Sequence, residues 1–509
     1  MGFCPKEQGV LKFLRLFFSK FTLIFLSIAL QLTLFVMATF YFSAYYQVWT
    51  VVNVVITVVV LLLIINRDMD CEAKLPWAIL VAVAPIVGFV TYVTLSHNYA
   101  SRKERKAFAK LPQLKLADHH PNAPVKYLGQ LNYLQSMGAP CFSDTDTKYF
   151  CCGEDFFADL LVELEKAQKY VFLEYFIVEH GKMLDSVWEV LKRKIAQGVE
   201  VRLLYDDVGS LPHVKSNFCK KMCKLGIKCA RFAPLRPIVS AVYNNRDHRK
   251  ITVIDGKVGY MGGINLADEY INETHPFGYW KDTAVKLSGN AVSSLCTLFL
   301  QMFDMATQQT DNFDNYLCKN NEEVFADKGI VSPFGDGPRP LYNEQIAKNA
   351  YLNLINQAVH DLYVSTPYLI VDDAFTQSLC NAARRGVNVN IIIPGIPDKK
   401  SVYAITKQSC KKLVAAGVKI YKFSAGFIHA KSIVADGIAG IVGTINLDYR
   451  SFVHHYECGV YMYDTHAVRE LYNDLIVTAQ NGELQEKAPA LNLWERIICI
   501  VGHLFRPML

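Results

Sequence analysis

Three long apolar runs occupy the first hundred residues of the chain. Residues 21–42 and 48–65 contain no charged side chain, and 75–95 is interrupted only by prolines. A helix of a soluble domain would show a polar face, which these runs lack, and each is close to the length that crosses a bilayer core. The pattern therefore predicts an N-terminal membrane segment over residues 1–110 with transmembrane helices in all three runs.

Beyond residue 110, short apolar runs alternate with amphipathic stretches, and the order occurs twice. The predicted strand, helix and strand of the first copy are 170–176, 185–197 and 199–205, and those of the second copy are 362–366, 373–385 and 387–393. Strands that alternate with helices predict a sheet covered by helices. The expected fold class is therefore α/β, with two similar units related by pseudo-two-fold symmetry behind the transmembrane helices.

Proline and glycine cluster at residues 332–340, which predicts a boundary between a first unit, 111–335, and a second unit, 336–488. The last stretch, 489–509, is apolar with a few basic residues and is too short to span a membrane. We expect an amphipathic helix there, lying on the membrane surface. Packing on the catalytic core is the alternative.

Composition and charge limit the kinds of molecule that we expect the chain to bind. The net charge of +6 is small and diffuse, which fits anionic lipid head groups and argues against nucleic acid. The chain has fourteen cysteines, mostly in apolar or helical stretches, which favours reduced thiols in a cytoplasmic catalytic part. Cys219, Cys223 and Cys229 lack a matching ligand pair nearby, so no metal is expected there.

For the membrane topology, the basic residues of the sequence give conflicting indications. Basic residues precede the first span and follow the third, and the positive-inside rule places both groups in the cytoplasm, which three crossings do not allow. The larger basic group adjoins the catalytic part. We therefore expect a multi-pass protein of the cell membrane with its catalytic part in the cytoplasm.

A His-x-Lys-x4-Asp motif occurs twice, once in each half. Its residues are His248, Lys250 and Asp255, and then His429, Lys431 and Asp436. In both copies an asparagine follows the histidine by seventeen positions, at Asn265 and Asn446, and small residues lie shortly before it, including Gly263 and Thr444.

This spacing has a physical meaning. Histidine and lysine two positions apart on a strand share a face, so both can meet one phosphate. The Asp-Gly that follows favours a hairpin turn, which brings Gly263 and Thr444 back towards the histidines, where Asn265 and Asn446 add amide donors. The two aspartates are expected to brace the turn and the lysine. One copy alone also fits a solvated strand edge, but two matched copies make chance a poor explanation.

With these motifs, the chain resembles bacterial cardiolipin synthases of the phospholipase D superfamily. The resemblance also includes the stretches 76–89, 366–368, 394–399 and 450–452. It implies two facing α/β units with both motifs in one cleft, and phosphatidyl transfer between two phosphatidylglycerol molecules through a phosphohistidine, without a metal or other cofactor. Thr444 stands where the family often has serine, and Gly263 also departs from the usual residue.

The resemblance also implies roles for single residues. His248 is expected to be the nucleophile and His429 the acid and base, although the sequence itself does not distinguish them. Lys250 and Lys431 are expected to stabilise charge on the phosphate. Acids that orient the histidines are expected at Asp282 and Glu457, with surface carboxylates as the alternative reading. Further cleft candidates rest on resemblance alone: Glu174, Asp206 and Tyr368.

Three other functions are alternatives to phosphatidyl transfer. A membrane-bound phospholipase D would use the same intermediate and release phosphatidic acid. A nuclease is disfavoured by the membrane segment, and an inert lipid-binding protein by the two intact motifs. The expected partners are phosphatidylglycerol and membrane lipids, with no nucleic acid, and a homo-oligomer is compatible with the sequence.

Overall fold

The computed structural model describes residues 20–40, 46–96, 100–110, 125–234, 245–317 and 325–505. The chain divides into two compact units. One comprises Met1–Tyr99, Leu235–Asn245 and Val501–Leu509, and the other comprises Ala100–Pro234 and Arg246–Ile500. Both predicted α/β halves lie in the second unit.

The described residues of this first unit before residue 97 form four apolar helices: α1 (Lys20–Phe40), α2 (Tyr46–Ile65), α3 (Cys71–Val83) and α4 (Pro85–Leu95). Among the residues that the structure describes, α2 is the one helix long and apolar enough to cross a membrane. The predicted span 75–95 is wrong as a single helix. It breaks at Ala84, whose φ of −140° and ψ of 80° are not helical, because a residue before proline is disfavoured in the helical conformation.

The second unit begins with helices α5 (Arg102–Phe108) and α6 (Val125–Ser136) and then builds a seven-stranded sheet. The strands in chain order are β1 (Thr145–Phe150), β2 (Tyr170–Tyr175), β3 (Glu200–Asp206), β4 (Lys228–Phe232), β5 (Ile251–Ile254), β6 (Val258–Gly262), β7 (Tyr279–Lys281) and β8 (Ala284–Gly289). Their order in the sheet is β1-β8-β6-β5-β2-β3-β4, with β7 outside it. Its helices are α7 (Gly153–Glu165), α8 (Lys182–Ala196), α9 (Phe218–Lys224) and α10 (Val292–Thr307).

An eight-stranded sheet follows. The strands are β9 (Ile330–Asp336), β10 (Asp361–Ser365), β11 (Leu369–Ile370), β12 (Asn388–Pro394), β13 (Lys419–Phe423), β14 (Gly426–Ile428), β15 (Ser432–Ala435), β16 (Ala439–Gly443), β17 (Leu447–Asp448), β18 (Glu457–Tyr463) and β19 (Glu483–Leu484). Eight of these strands form the sheet in the order β19-β13-β12-β10-β15-β16-β18-β9, and β11, β14 and β17 lie outside it. The helices are α11 (Ile346–Gln357), α12 (Asp373–Arg384), α13 (Lys400–Ala415), α14 (Tyr449–Val453), α15 (His466–Gln480) and α16 (Leu493–Phe505).

The two sheets share one plan. In each, a parallel pair (β2 with β3, β10 with β12) lies beside an antiparallel hairpin (β5 with β6, β15 with β16). The predicted α/β class with two similar halves is therefore confirmed. Strand β9 spans the predicted boundary and pairs with β18, so the second sheet begins before residue 336.

Short pairings connect the halves at the ends of the hairpins. Strand β7 of the first half runs parallel to β14 of the second, and Asp247 bridges to Tyr456. A shared apolar core, with Phe172 and Leu295 from one half and Val442 and Val460 from the other, lies behind them. This packing fixes the two motifs relative to each other.

Candidate active site

Both motif histidines and both motif lysines are buried. His248 and Lys250 lie in the segment that leads into β5, and His429 and Lys431 lie in the equivalent segment that leads into β15. Each histidine is less than one-tenth exposed. The hairpin that follows each pair is the one that the Asp-Gly turn predicts.

Each histidine contacts the acid of the other half. His248 Nδ1 lies 2.9 and 3.0 Å from the two carboxylate oxygens of Glu457. His429 Nδ1 lies 2.5 Å from Asp282 Oδ2. A carboxylate at Nδ1 holds the proton there and leaves the Nε2 lone pair free for chemistry, a tautomer that is inferred from these contacts.

The backbone explains why the pairing crosses. The His429 amide donates to the carbonyl of Lys281 at 2.7 Å, and the His248 amide donates to the carbonyl of Tyr456 at 3.0 Å. The next residue after each of these carbonyls is the acid. The pairings between the halves therefore deliver Asp282 to His429 and Glu457 to His248.

Burial sets the protonation of the four groups. Burial and Lys250 hold the pKa of His248 well below its ordinary range, and burial with Lys431 lowers the pKa of His429 to about 4. Burial also lowers the pKa of Lys250 to about 8 and that of Lys431 to about 7. A bound phosphate would favour the charged lysines, since an anion stabilises a neighbouring cation.

The four predicted phosphate-binding residues have different surroundings. A Cβ on Gly263 would lie 2.1 Å from Asp282 Oδ1, and the Thr444 hydroxyl donates to Glu457. Gly263 and Thr444 therefore each lie next to one of the two acids. Asn265 accepts from the Ile177 amide at 2.9 Å and donates to the Tyr270 hydroxyl at 2.6 Å, so its amide serves the fold. Asn446 is 5% exposed and its side-chain oxygen has no hydrogen-bond partner among the described residues.

The two motif aspartates lie at the hairpin turns. Asp255 accepts from the backbone amides of residues 168, 169 and 170 at 2.7, 2.7 and 2.8 Å. Asp436 accepts equivalently from residues 359, 360 and 361. Strand geometry puts Asp255 on the order of 15 Å from Lys250. The structure therefore places the aspartates away from the histidines, where they tie each turn to the start of a neighbouring strand.

The three remaining cleft candidates are Tyr368, Asp206 and Glu174. Tyr368 donates to Asp398 at 2.5 Å. Asp206 accepts from Arg246 Nε at 2.9 Å and from the Asp247 amide at 3.0 Å. Glu174 is fully buried, and burial together with Asp247 raises its pKa well above the ordinary range.

His455 is a residue that motif reasoning missed. Its Nδ1 lies 3.5 Å from Glu457 Oε1, and its ring centroid lies 5.4 Å from that of His248. It stands two positions before Glu457, as Trp280 stands two positions before Asp282. That shared offset from the acid was the available signal.

Within the described ranges, two sets of side chains have spacing that could hold a metal ion: His248 with His455 and Glu457, and Cys151 with Cys152 and Asp155. Lys250 and Lys431 act electrostatically on His248. The positive charge of these two lysines favours an anion over a metal cation beside His248, His455 and Glu457. The twelve cysteines that the structure describes are all free of disulfides.

Known proteins are similar to this chain over most of its length. The family model described as "Cardiolipin synthase, PLD-like domain" matches residues 160–278 and 351–476, which contain both motifs. A cardiolipin synthase of Alkalihalophilus pseudofirmus is 31% identical over 458 residues, covering 86% of this chain and 88% of that protein. The chain belongs to the cardiolipin synthase family.

Other relatives extend the comparison. A cardiolipin synthase of Staphylococcus aureus is 32% identical over 428 residues, covering 79% of this chain and 85% of that protein. A protein of Streptococcus mutans that carries no functional name is 42% identical over 426 residues, covering 81% and 91%. The crystal structure of a phosphatidylserine synthase of Haemophilus influenzae matches with a TM-score of 0.56 at 12% identity, covering 74% of this chain and 97% of that one. At that identity the match shows a common fold.

Proposed function

We propose that this member of the cardiolipin synthase family transfers a phosphatidyl group between two phosphatidylglycerol molecules, giving cardiolipin and glycerol. The observation that carries the proposal is the pair of buried His-Lys sites, each with its histidine Nδ1 on a carboxylate. The enzyme is a phosphatidyltransferase, as its family relatives indicate.

In the first step, His248 Nε2 attacks the phosphorus of one phosphatidylglycerol. The P–N bond forms, the P–O bond to the head-group glycerol breaks, and His429 gives its proton to the leaving oxygen. Burial favours a neutral His248, as a nucleophile requires. The anionic phosphate and Asp282 favour the protonated form of His429 once substrate is bound.

In the second step, the hydroxyl of another phosphatidylglycerol attacks the phosphohistidine. His429 now takes the hydroxyl proton, the new P–O bond forms and the P–N bond to His248 breaks, which restores the enzyme. Lys250 and Lys431 stabilise negative charge on the phosphoryl oxygens in both steps. Both ends of the Asn265 side-chain amide are used within the fold, so Asn446 is the better candidate of the two asparagines to donate its amide to the phosphoryl oxygens.

The test is product analysis with detergent-solubilised protein and phosphatidylglycerol as the sole lipid. We expect cardiolipin and glycerol in equal amounts, and we expect His248→Ala and His429→Ala each to abolish turnover while inserting into membranes normally. His466→Ala, at an exposed histidine, is the matched control. Phosphatidic acid as the sole lipid product would instead identify a phospholipase D hydrolase.

The same proposal includes a membrane location, with several crossings and a cytoplasmic catalytic unit. Helix α2 and the basic residues of α5 support it, as does the lack of disulfides among the described cysteines. Protease treatment of inside-out vesicles should cut the catalytic unit, whereas treatment of spheroplasts should leave it intact. The reverse pattern would place that unit outside.

Helix α16 supports contact of the catalytic unit with lipid. One face is held on α13 by an ion pair of Glu495 with Lys407 at 2.7 Å and by the buried Cys499, and the other face exposes Leu493, Trp494 and Ile500. An exposed apolar face beside a basic residue, Arg496, is typical of a helix at a membrane surface.

Charged substitutions test this contact. Trp494→Asp and Ile500→Asp should slow cardiolipin synthesis on phosphatidylglycerol vesicles, while the rate on short-chain phosphatidylglycerol in detergent stays unchanged. Val162→Asp, at an exposed apolar position on α7, is the control and should affect neither rate. Equal losses in vesicles and detergent would show that α16 serves folding alone.

A further inference from the structure

The two catalytic histidines have different aromatic neighbours at equivalent positions. Trp280 lies two residues before Asp282, with its ring centroid 5.3 Å from that of His429. His455 lies two residues before Glu457, with its ring centroid 5.4 Å from that of His248. The pseudo-symmetry of the site therefore breaks where one half has an indole and the other an imidazole.

The acids differ in the same way. Asp282 accepts hydrogen bonds from the His429 ring and, at 2.8 Å, from the Thr283 amide. Glu457 receives the His248 ring and the Thr444 hydroxyl, and His455 Nδ1 lies a further 3.5 Å from it. Trp280 Nε1 is buried and has no hydrogen-bond partner among the described residues.

His455 is poorly satisfied as it stands. Both of its ring nitrogens are buried without a hydrogen-bond partner in the described parts of the chain, and its contact with Glu457 is longer than an ordinary hydrogen bond. A buried unpaired donor is costly, and hydrogen bonds in active sites commonly shorten when substrate binds. A movement of about half an ångström would make this contact a normal hydrogen bond.

We infer that His455 is a positioning residue for His248: its Nδ1–H donates to Glu457 in the substrate complex, so that one carboxylate is shared by His248, Thr444 and His455. The inference rests on the proposed function, in which His248 must be neutral to attack phosphorus. A carboxylate shared by three donors attracts the proton of His248 less strongly than Asp282 attracts that of His429. The sharing therefore biases His248 towards the nucleophile and His429 towards the acid.

The charges around His455 are compatible with this role. The groups that act on it are Glu457, which favours its protonation, and His248 and Arg450, which oppose it. Burial, the largest effect, lowers the pKa of His455 to about 3, so the ring is neutral and carries one N–H to donate. A neutral donor shares the carboxylate without adding a third positive charge beside Lys250 and Lys431.

The pH dependence of kcat for cardiolipin synthesis by the full-length protein tests the inference, because kcat reports the pKa values of groups in the substrate complex. His455→Phe keeps an aromatic ring but removes the donor, so Glu457 would hold the His248 proton more strongly. We expect the acidic limb of the profile to move to higher pH by about half to one pH unit. His455→Gln, which keeps an N–H donor, should restore the limb towards its original position.

Trp280→Phe is the matched control, because the indole it removes donates to no acid. Its acidic limb should stay in place even if its rate falls. An unmoved limb in His455→Phe, or an equal shift in His455→Gln, would overturn the inference and leave His455 with a packing role. Failure of the proposed function would appear separately, as cardiolipin synthesis that survives His248→Ala.

A second measurement reads the proton on His455 directly. In wild-type protein labelled with ¹⁵N-histidine, the Nδ1 of His455, assigned with His455→Gln, should show a protonated nitrogen when inorganic phosphate is bound. An unprotonated Nδ1 in the phosphate complex would contradict the inference.

Discussion

Gly263 and Thr444 occupy equivalent places, yet they serve their acids differently. The carboxylate of Asp282 fills the space where a side chain of Gly263 would be, whereas Thr444 holds Glu457 with its hydroxyl. A glycine is required at 263 because of this close approach. The departure of both residues from the family pattern thus concerns how the acids are held.

Gly263→Ala should displace Asp282 from His429. The added Cβ would lie 2.1 Å from the carboxylate oxygen, so the acid must move and its hold on the imidazole is lost. We expect kcat to fall by about 10²–10³-fold, as for other losses of acid–base positioning. Steady-state kinetics of cardiolipin formation measures the effect.

The control is Gly129→Ala, an exposed helical position where the nearest atom to a new Cβ is 3.9 Å away. It should leave kcat unchanged, and alanine should support the helix slightly better than glycine. Wild-type turnover in Gly263→Ala would show that Asp282 does not need its present position.

At the scale of elements, the hairpin turns carry the motif aspartates. Asp255 and Asp436 both have a φ of 53°, in the left-handed region that aspartate tolerates better than most residues. Each carboxylate collects three backbone amides from the start of the neighbouring strand. The third motif residue therefore joins β5 to β2, and β15 to β10.

Substitution of Asp255 should lower stability more than catalysis. Asp255→Ala loses an ionised acceptor of three amides, and we expect a cost of about 1–3 kcal/mol. Asp255→Asn keeps one acceptor oxygen and the tolerance of positive φ, so its cost should be smaller. Thermal unfolding in detergent measures the order, and kcat per folded molecule should stay near the wild-type value. A stable Asp255→Asn protein without turnover would instead assign the aspartate to the chemistry.

At the scale of the whole molecule, neither half holds a complete site. The acid of each histidine comes from the other half. His248 and Glu457 are 209 positions apart along the chain, and His429 and Asp282 are 147 positions apart. The pairing of β7 with β14 and the bridge of Asp247 to Tyr456 hold these contacts in place. The two halves must therefore pack correctly before either histidine is oriented.

Double-mutant cycles test the crossed pairing. His248→Ala and Glu457→Gln should be non-additive in their effects on thermal stability, because each removes the same contact. His248→Ala with Asp282→Asn is the control cycle, and the two effects should add. Coupling of His248 to Asp282 in place of Glu457 would show that each half orients its own histidine.

Local patterns in the sequence determined the strands, the helices and the two hairpins. The two hairpins depend on an Asp-Gly turn, which neighbouring residues fix. The expectation that histidine and lysine lie on the strand itself was wrong, because β5 begins at Ile251 and β15 at Ser432. The break before Pro85 was also within reach of the sequence, since proline restricts the residue that precedes it. The long apolar runs of the first hundred residues pointed to the membrane segment.

The tertiary structure alone decided which acid serves which histidine, and that His455 lies beside His248. Asp282 and Glu457 could be proposed as orienting acids from their positions along the chain. Their partners could not, because the contacts join residues well over a hundred positions apart and depend on how two similar sheets pack. A repeated sequence predicts two equal sites, and only the packing of the halves shows that each site is shared and that the two differ.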